Sequence, residues 1–170
     1  MVPKWLFSHR LRAAKMAIRI QQADFDLTTE IANLRNGDLQ VGAITSFVGT
    51  VRDMNEGSTV NAMTLEHYPG MTEKALEDIV NQAKARWDIR DALVIHRIGP
   101  LMPADQIVLV AVTSAHRGES FSACEFIMDY LKTAAPFWKK EDTPEGGRWV
   151  DARTTDDAAA TRWNQKKPAS

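Results

Sequence analysis

The side chains best suited to chemistry in this chain are cations, and they fall where backbone geometry also favours an anion. His116-Arg117 stand just after an apolar run at 107–113 and at the expected start of a long helix. The first turn of a helix carries unpaired N–H groups and partial positive charge, so an imidazole and a guanidinium there suit a phosphate or carboxylate. The same pair would also serve as a plain strand-to-helix cap, and both readings stand on spacing alone. Lys132 falls in the last turn of that helix, where the helix dipole favours a lysine whatever its role. Lys139-Lys140 follow Pro136-Phe137-Trp138. The proline ends the helix, and a turn anchored by two aromatics would hold Lys139 in place, aimed with Lys132 toward the His116-Arg117 helix start. Arg52, in Thr50-Val51-Arg52-Asp53, is a further cation at a strand end.

Other reactive types offer less. Cys124 is the single cysteine and sits on an apolar helical stripe, so it reads as a small core residue, unable to form an intramolecular disulfide or a CxxC site. A reducing, cytoplasmic compartment follows from that usage. His96-Arg97 end a strand and read as structural, and His67-Tyr68 shape the turn before Pro69-Gly70. No Ser-His-Asp arrangement, HExxH, Walker loop or GxGxxG is present. With 21 Lys+Arg against 22 Asp+Glu the net charge is −1, which argues against nucleic acid or an anionic membrane as a bulk electrostatic partner. No apolar run reaches the roughly 18–20 residues of a membrane span. Any anion must be held by local placement of cations.

The elements that would place them form one α+β domain. The 170 residues suffice for a single core, and 44% hydrophobic with 25% charged is ordinary globular composition. Leu27, Ile31 and Leu34 are at helical spacing before Asn36-Gly37. Residues 41–51 and 60–67 read as strands joined through Asn55-Glu56-Gly57-Ser58, a hairpin with a long tip. Met71, Ala75, Ile79, Ala83 and Trp87 mark an amphipathic helix. Residues 92–98 and 107–113 read as an antiparallel pair, the second central because it is apolar on both faces. A last helix runs from about Gly118 to Ala134. The order is α-β-β-α-β-β-α, with helices on a mainly antiparallel sheet. Residues 1–15 are basic without a secretory pattern and read as an extension, disordered or preceding the true start; 16–155 is the domain, and 156–170 a polar tail.

Physics alone stops at an α+β domain with an anion pocket of Lys, Arg and His. Literal stretches go further: FVGTVRD (47–53), LEHYPGMTEKAL (65–76), VIHRIGPL (94–101), VTSAHRGESF (112–121), FIMDYLKTAAPFWKKE (126–141) and PEGGRWVDAR (144–153). Over about residues 25–155 the chain resembles the catalytic (large) subunit family of molybdopterin synthase.

The resemblance implies an α/β hammerhead-type fold and a sulfurtransferase of molybdenum cofactor biosynthesis. Such enzymes convert cyclic pyranopterin monophosphate (precursor Z) to molybdopterin by inserting two sulfurs. The sulfur comes from a small ubiquitin-like subunit whose C-terminal Gly-Gly ends in a thiocarboxylate. It also implies a self-dimer within a heterotetramer, and no metal or cofactor at this step. Carried over by position, Lys132 and Lys139 match the catalytic lysines. Thr50, Val51, Arg52, His116, Arg117, Lys140 and Glu141 match the pocket, and Arg153 a basic residue reaching in from the other protomer. The residue types suit the task. Arginines bind a phosphate in bidentate fashion, and lysines can move a proton or steady a tetrahedral oxyanion. Two rival readings are a non-catalytic scaffold that docks an acidic tail and a nucleotide- or RNA-binding domain, the latter disfavoured by the charge balance.

Overall fold

A computed structural model describes residues 17–150 and 154–165. In chain order the elements are β1 (Ala17–Gln21), α1 (Leu27–Arg35), β2 (Ala43–Thr50), β3 (Met54–Asn55), β4 (Ser58–Thr59), β5 (Ala62–His67) and α2 (Met71–Arg86). There follow β6 (Ile89–Arg97), β7 (Gly99–Leu101), β8 (Gln106–Ser114), α3 (Arg117–Ala134), β9 (Phe137–Thr143), β10 (Gly146–Val150) and α4 (Thr154–Gln165). The architecture is α+β, as the residue patterns imply.

The strand at 107–113 organises the first sheet. Order is β1-β6-β8-β2, with β8 antiparallel to both neighbours and β1 parallel to β6. Successive side chains on a strand point to opposite faces, so β8 feeds two cores. Val108, Val110 and Val112 join Ala92 and Val94 under α2, α3 and Trp163 of α4. Leu109 and Ala111 join Leu93 and Ile95 under Phe25 and Leu34 on the α1 side. Gly42 belongs to the same sheet edge for a steric reason. A Cβ there would meet the Ala115 carbonyl oxygen at 2.3 Å, while its own N–H donates to Ser114 O at 3.0 Å.

A second sheet, β10-β9-β5-β7, carries a third cluster of Val51, Val60, Met63, Leu65 and Leu101. Here the structure corrects one expectation. Residues 41–51 and 60–67 do not pair with each other: β2 lies on β8, and β5 lies between β7 and β9. The chain leaves the first sheet at Val51. Its N–H donates to Asp105 O and its carbonyl accepts from Ala104 N, both at 2.9 Å, and its side chain drops into the third cluster. The intervening tip is a small ribbon of β3 and β4, turned at Glu56 (φ 51°) and Gly57 (φ 81°). Two successive positive φ angles make a type I′ turn, which suits the strand twist.

The C-terminal segment is richer than its polar composition suggests. Residues 137–150 form the β9–β10 hairpin, and a boundary at 155 falls inside α4, which buries Trp163 against α2 and α3. Trp163 packs edge-on to Trp87 and Phe126, 5.5 and 5.6 Å between ring centroids. Residues 1–15 lie outside the described residues.

Candidate active site

The corner at Pro136 sets the frame for Lys139. Phe137 N donates to Ala135 O at 2.9 Å. Thr72 Oγ1, at the start of α2, donates to Pro136 O at 3.0 Å and accepts from Tyr68 N. Phe137 stacks on the His96 ring, centroids 3.8 Å apart and planes 15° from parallel. His96 is buried, which drives its pKa down to about 4 against the opposing pull of its bond to the Arg97 carbonyl. A carbonyl only accepts, so Nδ1 of this neutral ring carries the proton it donates, at 2.8 Å. From that anchor β9 alternates. Phe137, Lys139, Glu141 and Thr143 turn inward, while Trp138, Lys140 and Asp142 face solvent.

Inward alternation brings Lys139 to Glu141. Glu141 is only 1% exposed, and its Oε1 lies 3.8 Å from Lys139 Nζ and accepts from Asn55 Nδ2 at 2.8 Å. Its Oε2 accepts from Arg148 Nη2 at 3.0 Å. Burial by itself would raise this carboxyl. The bonds from Arg148 and Asn55, with the charges of Lys139 and Arg148, outweigh burial and hold it below the ordinary carboxylate value. Arg52 joins the same group, its Nη2 donating to Asn55 Oδ1 at 3.3 Å. Three residues read from the sequence as site candidates, Arg52, Lys139 and Glu141, therefore meet around one buried carboxylate. Val51 holds Arg52's backbone in place, and Thr50 ends β2 beside it at a register shift after Gly49.

Lys132 has a different setting. It stands exposed in the last turn of α3, its Nζ 3.8 Å from Asp156 Oδ1 of α4. Both line a cavity of about 530 Å³ between β2 and α3, with Phe47, Phe121, Cys124 and Met128 on its walls. Asp129 on the same wall accepts from Arg162 Nη2 and Trp163 Nε1, both at 2.7 Å, and so fastens α4 to α3. Cys124 is buried within the first core, and burial pushes its thiol up to about 12. It is a packing residue at pH 7, as its helical position implies.

His116 and Arg117 stand at the opposite end of α3 from Lys132 within this chain. His116 is the N-cap of α3 and Arg117 its first residue, both exposed. At about 1.5 Å of rise per residue, Arg117 and Lys132 are about 22 Å apart along the helix axis. The expectation that the turn after Pro136 aims both lysines at the helix start is therefore corrected: β9 runs on into the second sheet instead of folding back along α3. Lys140 lies on the outer face, its Nζ 5.7 Å from the Trp149 ring centroid. Arg153 lies outside the described residues. Asn55, Arg148 and Asp156 are the neighbours that residue types alone did not single out. Arg148 was within reach of counting, because a hairpin closed at Pro144-Glu145 sets it directly opposite Glu141.

The chain is similar to known proteins over most of its length. The family model described as MoaE protein matches residues 20–134. The molybdopterin synthase catalytic subunit of Ralstonia nicotianae is 69% identical over 146 residues, which are 86% of this chain and 83% of that relative. The molybdopterin biosynthesis MoaE protein from Burkholderia ambifaria MC40-6 superposes with a TM-score of 0.76 at 60% identity, covering 88% of this chain and 99% of that one. A molybdopterin synthase crystal structure from Staphylococcus aureus gives 0.71 at 30% identity, over 78% and 96% of the two chains. By sequence and by fold alike, this chain belongs to the MoaE protein family.

Proposed function

We propose that the chain is the catalytic subunit of a molybdopterin synthase, transferring two sulfurs to precursor Z from the C-terminal thiocarboxylate of a small ubiquitin-like carrier. The observation that carries this reading is Lys139. It is an inward-facing lysine, one-third exposed, held between a stacked Phe137–His96 pair and the buried Glu141, with Arg52 linked to the same carboxylate. Both reactants are anions, a cyclic phosphate and a thiocarboxylate, and cations placed by the fold can draw them together. Arg52 suits the phosphate, and Lys139 and Lys132 suit the oxyanions and protons of acyl transfer. Family relatives named as molybdopterin synthase catalytic subunits support the same reaction.

The separation along α3 gives the reading its oligomeric form. His116 and Arg117 are about 22 Å from Lys132 along the helix. They complete a site, with Arg153, when supplied by a second protomer in a self-dimer that also binds two carriers. The site of action is the cytoplasm, where a chain with one buried cysteine stays reduced. Among the described residues no helix is long and apolar enough to cross a membrane.

The decisive assay combines the protein, precursor Z and the thiocarboxylated carrier, and measures molybdopterin. Turnover is expected, and a carrier lacking its last two residues should give none. Carrier binding without turnover would leave only an anion-docking scaffold, and full turnover with the truncated carrier would overturn tail delivery.

A further inference from the structure

Arg52, in the connection after β2, and Lys139, on β9, both lead to the buried Glu141, Lys139 directly and Arg52 through an amide. Asn55 is 5% exposed and occupies the first corner of the ribbon turn, just before the two positive-φ residues Glu56 and Gly57. Its Oδ1 accepts from Arg52 Nη2 at 3.3 Å while its Nδ2 donates to Glu141 Oε1 at 2.8 Å. A primary amide presents an acceptor to a guanidinium and a donor to a carboxylate at once, and only this orientation satisfies both neighbours. An aspartate would accept from Arg52 but repel Glu141. On the other side of Glu141, Arg148 reaches Oε2 at 3.0 Å and the ribbon's Glu56 at 3.9 Å. The Asn61 N–H adds a backbone bond to Asp142 O at 2.9 Å. The ribbon is thus fastened to the β9–β10 hairpin through Asn55 and Glu56, and the Asn55 bond ends on the carboxylate that also faces Lys139.

Burying a carboxylate and an amide costs desolvation that apolar side chains of similar volume would not incur. Stability alone therefore gives no reason for this polar set, whereas fixing two cations at a set spacing does. We infer that Asn55 is a positioning residue: it orients the Arg52 guanidinium toward the phosphate of the substrate and ties it through Glu141 to Lys139. The inference rests on the reading that Arg52 and Lys139 serve the sulfur-transfer site.

Steady-state kinetics with precursor Z varied at saturating carrier test it, on wild type, Asn55→Ala, Asn55→Asp, Arg52→Ala and the Arg52→Ala/Asn55→Ala double variant, each with a thermal melt. Asn55→Ala should raise KM for precursor Z about 10-fold, the scale of one lost bond to a charged group, and change kcat less than about 3-fold. Asn55→Asp should not restore KM, because the acceptor returns without the donor. In the Arg52→Ala background the Asn55→Ala change should add less than about 2-fold, since the residue it acts through is gone. An unchanged KM in Asn55→Ala, or multiplicative KM effects in the double variant, would overturn the inference while leaving the site reading intact. Wild-type kinetics in Arg52→Ala would overturn the site reading itself. If Asn55→Ala melts below assay temperature, Asn55→Gln keeps the amide but displaces it by one methylene. It should still raise KM, and an unchanged KM there also counts against the inference.

Discussion

Lys132 and Lys139 are seven positions apart in the chain and live in opposite surroundings. Lys139 projects inward from a strand and faces a carboxylate that is 1% exposed, itself held by an amide and an arginine from two other segments. Lys132 hangs from the last turn of a helix, half exposed, beside Asp156 on the rim of a cavity. The first lysine is built into the fold; the second stands at its surface with one long carboxylate contact. A cation fixed by buried partners suits holding an anion at a set point, and an exposed cation lining a cavity suits meeting a tail that enters from outside. The comparison also separates cost from function. Losing Lys139 disturbs a buried network, and losing Lys132 disturbs almost nothing.

The largest effects should come from the lysines themselves. Lys132→Ala and Lys139→Ala should each slow single-turnover molybdopterin formation by at least ~100-fold, the scale of a lost general acid or oxyanion donor. Lys132→Ala should leave the melting temperature unchanged, and Lys139→Ala should lower it slightly. Arginine at Lys139 should restore charge without full rate, because a guanidinium holds its proton near neutral pH. Two alanine variants with wild-type turnover would reduce both lysines to a solvated face.

Next comes the acid sensitivity of the Lys139 side. His96, under Phe137, has its pKa lowered to about 4 from 6.5, so below pH 6.5 the unfolded chain binds a proton that the folded chain refuses. The stability His96 contributes is fully present above pH 6.5 and is lost as pH falls toward 4, by up to about 3 kcal/mol. Denaturant melts between pH 7.5 and 4.5 should show a shallower loss in His96→Gln than in wild type. Equal slopes would acquit His96.

Glu141→Ala should cost about 2 kcal/mol in urea unfolding, since it removes the buried carboxylate that Asn55, Arg148 and Lys139 share. Both cations are about one-third exposed and recover some solvation, which keeps the figure below that for a fully buried pair. Asp156→Ala, by contrast, should change stability by less than about 0.5 kcal/mol. A reversal of that order would break the contrast between the two lysines.

The smallest effects mark the limits of each region. Lys140→Ala, on the outer face beside Trp149, should alter turnover less than about 3-fold. Cys124→Ala should retain activity and lose about 1 kcal/mol of stability through a small core void. An inactive but folded Cys124→Ala would mean that the thiol carries sulfur.

Local rules made much of this legible. The helix stripes at 71–87 and 118–134, the central strand at 107–113 and the stop at Pro136 follow from periodicity and from proline's missing N–H, and the structure reproduces them within a residue or two. The cations of the site were legible as types, and alternation after Pro136 separates inward Lys139 from outward Lys140. Pairing was not legible. Which strand takes which neighbour depends on how three clusters divide the apolar residues, so Val51 could turn 41–51 away from 60–67 with no local signal. The polar stretch 154–165 became a helix because one face meets α3 through Trp163, and composition averages that residue away.

Amino-acid order by itself determined which residues could bind two anions and which segments had to be helix or strand. Only the tertiary structure decided that Asn55, Lys139 and Arg148 share the Glu141 carboxylate, with Arg52 tied to it through Asn55, while His116-Arg117 stand about a helix length from Lys132. The reason is that covalent neighbours constrain a few ångströms of backbone, whereas these distances depend on which sheet each strand enters, and burial of apolar surface settles that for the whole chain at once.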